Sequence, residues 1–205
     1  MAAAWSSSRV WLLLFAVASC ACGPSLATPL AVSKANEVLG SGNNQGLPFL
    51  VIDKAKARVL AFDSDGKLLG ESPALLGLAT GDIAPADIGI RPAARIGPAD
   101  RITPAGRFVA SLGHDFVQDL LWIDYASGLS LHRVVKGGAN DRRAARLASE
   151  THLDNRISFG CINVPGDFYD DIVRPLFSGT VGIVYILSEN SQVSNLSSAP
   201  NEKTN

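Results

Sequence analysis

The chain of 205 residues is poor in cysteine, histidine and charge. Three Cys and three His, scattered without ligand spacing, exclude a multi-metal scaffold, and no metal is expected. Charged residues make up 18%, and the formal net charge is −1. That excludes a nucleic-acid binder that works through a basic surface. Neither G-x-x-x-x-G-K nor G-x-G-x-x-G occurs, so both common phosphate loops are missing and no nucleotide cofactor is implied. The longest clean apolar run, residues 10–18, falls well short of the ~20 residues that a spanning helix needs. What is plentiful is apolar side chains, 47%, which excludes a largely disordered chain. Nineteen Gly and eleven Pro imply many turns and a mainly β fold with short helices.

Residues 1–27 read as an export signal. Arg9 and the amino terminus form a positive n-region, followed by the short apolar run and small residues. Two endings fit. Ser25-Leu26-Ala27 is an ordinary cleavage site before Thr28. Val17-Ala18-Ser19-Cys20 also fits a bacterial lipobox, which would leave Cys20 lipidated as a membrane tether. Either way the mature protein sits in the cell envelope or periplasm, soluble or lipid-anchored. Removal of 1–27 takes Cys20 and Cys22 and leaves Cys161 alone. In an oxidising compartment a lone Cys is a liability unless it is buried or used. Compartment alone leaves an inert buried thiol and a reactive one equally open.

Residues 28–47 are small, polar and Gly-rich, and read as a linker. The domain is expected over 48–187. Runs 49–53 and 58–63 have strand character, and Ser64-Asp65-Gly66 is a hairpin turn into a strand over 67–77. Residues 78–106 have no clean period and read as one long loop, a length that is usually functional in a compact domain. Strands are expected at 107–112, 120–125 and 129–134, and a basic helix-favouring stretch at 141–149. A helix opens at Pro165 and runs to about Phe177, with its last turn shortened or kinked at Pro175. A buried strand covers 181–187, and the Ser- and Asn-rich tail 188–205 reads as disordered.

The chemistry concentrates in Ser158-Phe159-Gly160-Cys161-Ile162-Asn163. A Cys next to Gly in a turn can be approached closely, and the N–H groups of Gly160 and Cys161 are candidates to hold an oxyanion. The thiol needs a base. His132 closes the alternating strand Leu129-Ser130-Leu131-His132 and ranks first. His152, in an irregular segment, ranks second, and His114 third.

With these residues the chain resembles the L,D-transpeptidase catalytic domain of the YkuD type. That family carries a strand-borne His and a [Ser/Thr]-His-Gly-Cys motif followed by an apolar residue and Arg or Asn. The matching positions are His132, Ser158, Gly160, Cys161, Ile162 and Asn163. The strands from Val51 to Phe62, Gly77 and the segment Thr103-Pro104-Ala105-Gly106-Arg107-Phe108 resemble it too, so the likeness spans about residues 49–187. Two departures stand out. Phe159 occupies the place of the family's second His, and the stretch from His132 to Cys161 is longer than the compact motif, with the basic 142–146 segment inside it.

The resemblance implies a β-sandwich or barrel and an acyl transfer on peptidoglycan stem peptides. His132 takes the proton of Cys161, and the thiolate attacks the amide before the terminal D-alanine of a tetrapeptide stem. The thioester then passes to the amine of another stem, a 3→3 cross-link, or to water. Ser158 shapes the turn or takes part in the chemistry, Asn163 braces the loop or binds peptide, and Phe159 bears on substrate choice. Arg156 meets a stem carboxylate or is simply solvated. Three readings stay open: a transpeptidase, an L,D-carboxypeptidase with the same thioester, and a non-catalytic wall-binding homologue. Nothing in the sequence sets an oligomeric state.

Overall fold

The computed structural model describes residues 29–191 except 116 and 139. The expected export signal, both cleavage sites, Cys20 and residues 192–205 of the tail lie outside the described residues. The fold is mainly β with short helices. Its strands are β1 (Phe49–Asp53), β2 (Arg58–Phe62), β3 (Leu68–Pro73), β4 (Leu76–Gly77), β5 (Gly106–His114), β6 (Asp119–Asp124), β7 (Leu129–Arg133), β8 (Arg156–Ser158), β9 (Ile162–Val164) and β10 (Val181–Ile186).

Eight strands form one sheet in the order β3-β2-β1-β10-β5-β6-β7-β9, while β4 and β8 pair separately and in parallel. Most neighbours are antiparallel; β1–β10 and β7–β9 are parallel. Leu75, just past β3 at one edge, exchanges both backbone hydrogen bonds with Asn163 of β9 at the other edge (2.8 and 2.9 Å). This bridge joins the two edges, and the sheet approaches a barrel.

Alternation along the strands sorts side chains into two cores. From β1, Leu50 and Ile52 join Val59, Leu121, Leu131 and Val184 in the larger core. Phe49 and Val51 face the other way, with Leu60, Phe62, Ile183 and Tyr185. A strand buried on both faces reads as a continuous apolar run, as β1 does. The larger core is closed by a helical segment over 166–176, here α3, which contributes Phe168, Tyr169 and Val173. Its middle, Tyr169–Val173, is a π turn. That wide turn comes directly before the turn holding Pro175, which has no N–H to continue a regular ladder.

The second core is closed by α1 (Pro29–Ser41), a helix where a linker was expected. Ala31, Ala35 and Val38 recur at helical spacing and are buried against the sheet. Small side chains carry a weak sequence signal, yet they let a helix lie close to the strands. The Gly residues that suggested a linker instead end the helix: Gly42 has φ +64°, and Asn43 donates back to Val38 O at 3.0 Å. Asn44 then fastens the segment by donating to Leu47 O and Ser64 O. No helix among the described residues is long and apolar enough to cross a membrane.

The long loop contains three single 3-10 turns, Ile88–Ile90, Ala93–Arg95 and Pro98–Asp100. Arg91 pairs with Asp87 and Asp100 and ties these turns together. Buried Lys54 clamps both ends of the loop, donating to Gly81 O (2.6 Å), Asp82 (2.7 Å) and Thr103 O (3.0 Å). The tail's first residues are fastened to the same place. Ser188 donates its hydroxyl, and Glu189 its N–H, to Asp82.

Docking of α1 has a direct test. Ala35→Glu places a carboxylate against the second core and should lower unfolding free energy in urea by more than about 2 kcal/mol. A loosely attached linker would leave the midpoint unchanged.

Candidate active site

Parallel pairing of β7 with β9 sets Leu131 beside Ile162 and His132 beside Asn163. Leu129, Leu131, Ile162 and Val164 turn into the larger core. The alternate residues Ser130 and His132, together with Asn163 and, just before β9, Cys161, therefore share the opposite face. Side-chain contacts agree with this placement. Ser130 Oγ lies 3.5 Å from Cys161 Sγ, and Asn163 Nδ2 lies 3.1 Å from His132 Nε2. The Cys161 thiol and the His132 imidazole lie close enough on this face for each to shift the other's titration. Cys161 Sγ is also 3.5 Å from Gly128 O, in the turn between β6 and β7.

His132 is oriented from its other nitrogen. Nδ1 lies 2.7 Å from Arg133 O, an acceptor only, so Nδ1 carries the proton of the neutral ring and Nε2 is directed toward β9. The Gln118 amide lies 3.4 Å from the same Nδ1. Burial pushes the Cys161 thiol up. Hydrogen bonds with His132 and Ser130, and the charge of the imidazolium, more than offset this and bring the thiol below its ordinary value. Burial likewise pushes His132 down, while the bond to sulfur, the thiolate charge, Arg133 O and Asp115 together raise it. Both shifts favour a thiolate–imidazolium pair.

The turn before Cys161 is held from two sides. Ser158 Oγ accepts the Gly160 N–H (3.1 Å) and donates to Cys161 O (2.6 Å). Thr103 Oγ1 donates to Gly160 O (2.7 Å) and accepts the Gly77 N–H (2.8 Å). Gly160 has φ +132°, and a Cβ there would stand 2.8 Å from Ile102 O. No other residue fits between the turn and the long loop.

These contacts reassign several expected roles. The Gly160 N–H is taken by Ser158, so it does not stand free as an oxyanion donor. Ser158 is the brace of the turn. Asn163 is buried, with its amide spent on His132 and Arg143. Arg156 is neither solvated nor free for a carboxylate. It donates to Gly77 O, Ala79 O and Lys54 O and pairs with Glu189 at 2.6 Å. Phe159 is 42% exposed, and the Arg101 guanidinium lies over its ring at 3.8 Å. Neither remaining His reaches the thiol: His114 is exposed at the end of β5, and His152 lines a separate cleft with Pro73 and Glu150.

Beside Cys161 opens a cleft of about 200 Å³, walled by Ile88, Ile96, Ile102, Pro104 and Phe159. Four of these five residues come from the long loop, which therefore forms the wall of the site. Ser130, Thr103, Gln118 and Arg143 were not singled out by the sequence for these roles. Ser130 was detectable as the polar residue two places before His132, on the same strand face.

No family model matches the chain, and no curated protein matches it by sequence. Solved structures similar to it include the L,D-transpeptidase LdtMt1 in complex with imipenem, at 15% identity and TM-score 0.38, covering 68% of this chain and 58% of that one. An L,D-transpeptidase from Mycobacterium smegmatis matches at 15% and 0.38, covering 69% and 58%. Residues 123–326 of an L,D-transpeptidase from Xylanimonas cellulosilytica match at 17% and 0.37, covering 69% and 60%. The chain thus spans less than two thirds of each.

Two measurements check this site. Thr103→Val strips a partner from two buried backbone groups and should cost about 2–4 kcal/mol in urea unfolding, whereas Thr103→Ser should retain most of the stability. Iodoacetamide alkylation of Cys161, read by peptide mapping over a pH series, should follow a thiol titrating below its ordinary range. In His132→Ala burial acts without the imidazolium, so the inflection should move up and the rate at pH 7 should fall at least about tenfold. An unmoved profile would separate His132 from the thiol.

Proposed function

We propose that the protein is a cysteine acyltransferase of the cell envelope, an L,D-transpeptidase acting on peptidoglycan stem peptides. The observation that carries this reading is the placement of Cys161 and His132 on one face of the sheet, at the edge of a small apolar cleft. The Ser-x-Gly-Cys-Ile-Asn motif and the strand-borne His support it, as does the turn geometry around Gly160.

In this reading His132 Nε2 takes the Cys161 proton, and Sγ attacks the carbonyl before a terminal D-alanine. The Cys161 N–H faces the tetrahedral oxyanion, since the Gly160 N–H is committed to Ser158. The intermediate collapses as the C–N bond breaks and His132 returns the proton to the leaving amine, giving D-alanine and a thioester on Cys161. A side-chain amine of a second stem then attacks the thioester, His132 takes its proton, and the thiolate is released with formation of a 3→3 cross-link. Ile88, Ile96 and Ile102 give the cleft apolar walls. A pocket of this size suits a short alanyl side chain. The residues present require no cofactor for these steps.

Incubation with purified tetrapeptide stems and identification of products by mass tests the proposal. Dimer supports transpeptidation, and hydrolysed tripeptide would make the protein an L,D-carboxypeptidase. A carbapenem should add covalently to Cys161, and Cys161→Ala should show neither adduct nor product while unfolding normally. Absence of both in the unsubstituted protein overturns the enzymatic reading in favour of a non-catalytic wall-binding role.

A further inference from the structure

Arg143 has no part in the chemistry above, yet it is aimed at it. It opens α2 (Arg143–Leu147), inside the segment that lengthens the path from His132 to Cys161. Its Nη1 donates to Asn163 Oδ1 at 3.0 Å, and Asn163 Nδ2 stands 3.1 Å from His132 Nε2. A guanidinium has only donors, so the Asn163 atom facing it is the oxygen, and the amide nitrogen faces the ring. That nitrogen only donates, so Nε2 must accept. The other side of the ring demands the same tautomer, because Arg133 O accepts from Nδ1 at 2.7 Å.

The segment is built to hold Arg143 in this pose. Asp141 Oδ2 lies 3.3 Å from its Nε. A Cβ on Gly137 would stand 2.0 Å from Asp141 Oδ2 and 2.7 Å from Arg143 Nε, so only glycine leaves room for the pair. Arg146 fastens the loop to Asp141 O (2.8 Å) and Asp154 O (2.5 Å).

Building on the assignment of His132 as base, we propose that Arg143 is a positioning residue that locks the Asn163 amide and so holds His132 neutral, restraining proton transfer from Cys161. Once Nε2 takes the proton, it meets the Asn163 NH2 group donor against donor. Relief requires the amide to turn and offer Oδ1, which breaks its bond to Arg143. The inserted segment thus opposes the mutual attraction of thiolate and imidazolium. The ionisable groups facing the ring are Cys161 beside β9 and Asp115 in the β5–β6 turn, with Arg143 one residue behind Asn163. Neutral neighbours are Gln118 and Asn163. The Arg133 side chain is occupied with Asp119 and Asp170.

The test is a ¹⁵N NMR titration of the His132 ring in a Cys161→Ala background, where no thiolate is present and no catalytic activity is needed. The signal is assigned by loss in His132→Gln. Arg143→Ala should raise the pH at which Nε2 loses its proton by about one unit, a tenfold change in the equilibrium, through the freed hydrogen bond. The same substitution in an Asn163→Ala background should leave the titration unmoved. An unchanged titration with Arg143→Ala overturns the proposal. So does an equal shift without Asn163, which would mean a direct effect of charge. Arg143 lies outside both apolar cores, and the amide spectrum of each variant verifies the fold. Because the readout is a proton on a ring, failure here leaves the acyl-transfer reading standing, and failure of stem-peptide turnover leaves this coupling standing.

Discussion

The hydroxyl of Thr103 is the joint on which the site rests. Its single proton goes to Gly160 O and its lone pair takes the Gly77 N–H, so one atom connects three segments far apart in the chain. Lys54 holds the same residue by its carbonyl. The turn carrying Cys161 is therefore fixed against the loop that walls the cleft, and both are fixed against the strand pair β4–β8. Each of these groups is a buried backbone atom that would cost free energy if left without a partner. Cys161 is positioned by satisfying backbone groups of its turn.

Much of this was legible before any coordinates, and the reasons differ by element. The strands over 49–53, 58–62 and 181–186 announce themselves as apolar runs bounded by turn residues. That His132 and Cys161 share a sheet face was legible because a strand fixes which way alternate side chains point, and because the motif around Cys161 is dense in residues with special backbone needs. Helix α1 was not legible, because small side chains such as Ala31 and Ala35 at helical spacing resemble a linker when nothing shows the sheet face they cover. Strands β8 and β9 have three residues each, too few to display a period. Arg156 was misjudged for a different reason. Its partners are carbonyls of Lys54, Gly77 and Ala79 and the carboxylate of Glu189, contacts no local pattern can reveal.

Charge is used here for anchoring as much as for chemistry. The ordinary expectation for a buried lysine is a costly desolvation, but Lys54 recovers it through two carbonyls and a carboxylate. Burial pushes Asp82 up, but the Lys54 bond, with Ser188 and Glu189, lowers it to about 2. Stability from that carboxylate is present above its unfolded value and is lost as pH falls through about 2. Arg133 performs a similar office under the sheet, pairing with Asp119 and Asp170 while lying over the Tyr169 ring at 4.2 Å.

The clamp around Lys54 also dictates an order of events during biosynthesis. Lys54 lies near the beginning of the described chain and Glu189 near its end, and Arg156 bonds to both. Strand β10, which fills the gap between β1 and β5, is synthesised after every other strand of the sheet. Contacts so distant along the polymer close late. A nascent chain that stops short of β10 therefore carries the Cys161 sulfur on an unassembled scaffold.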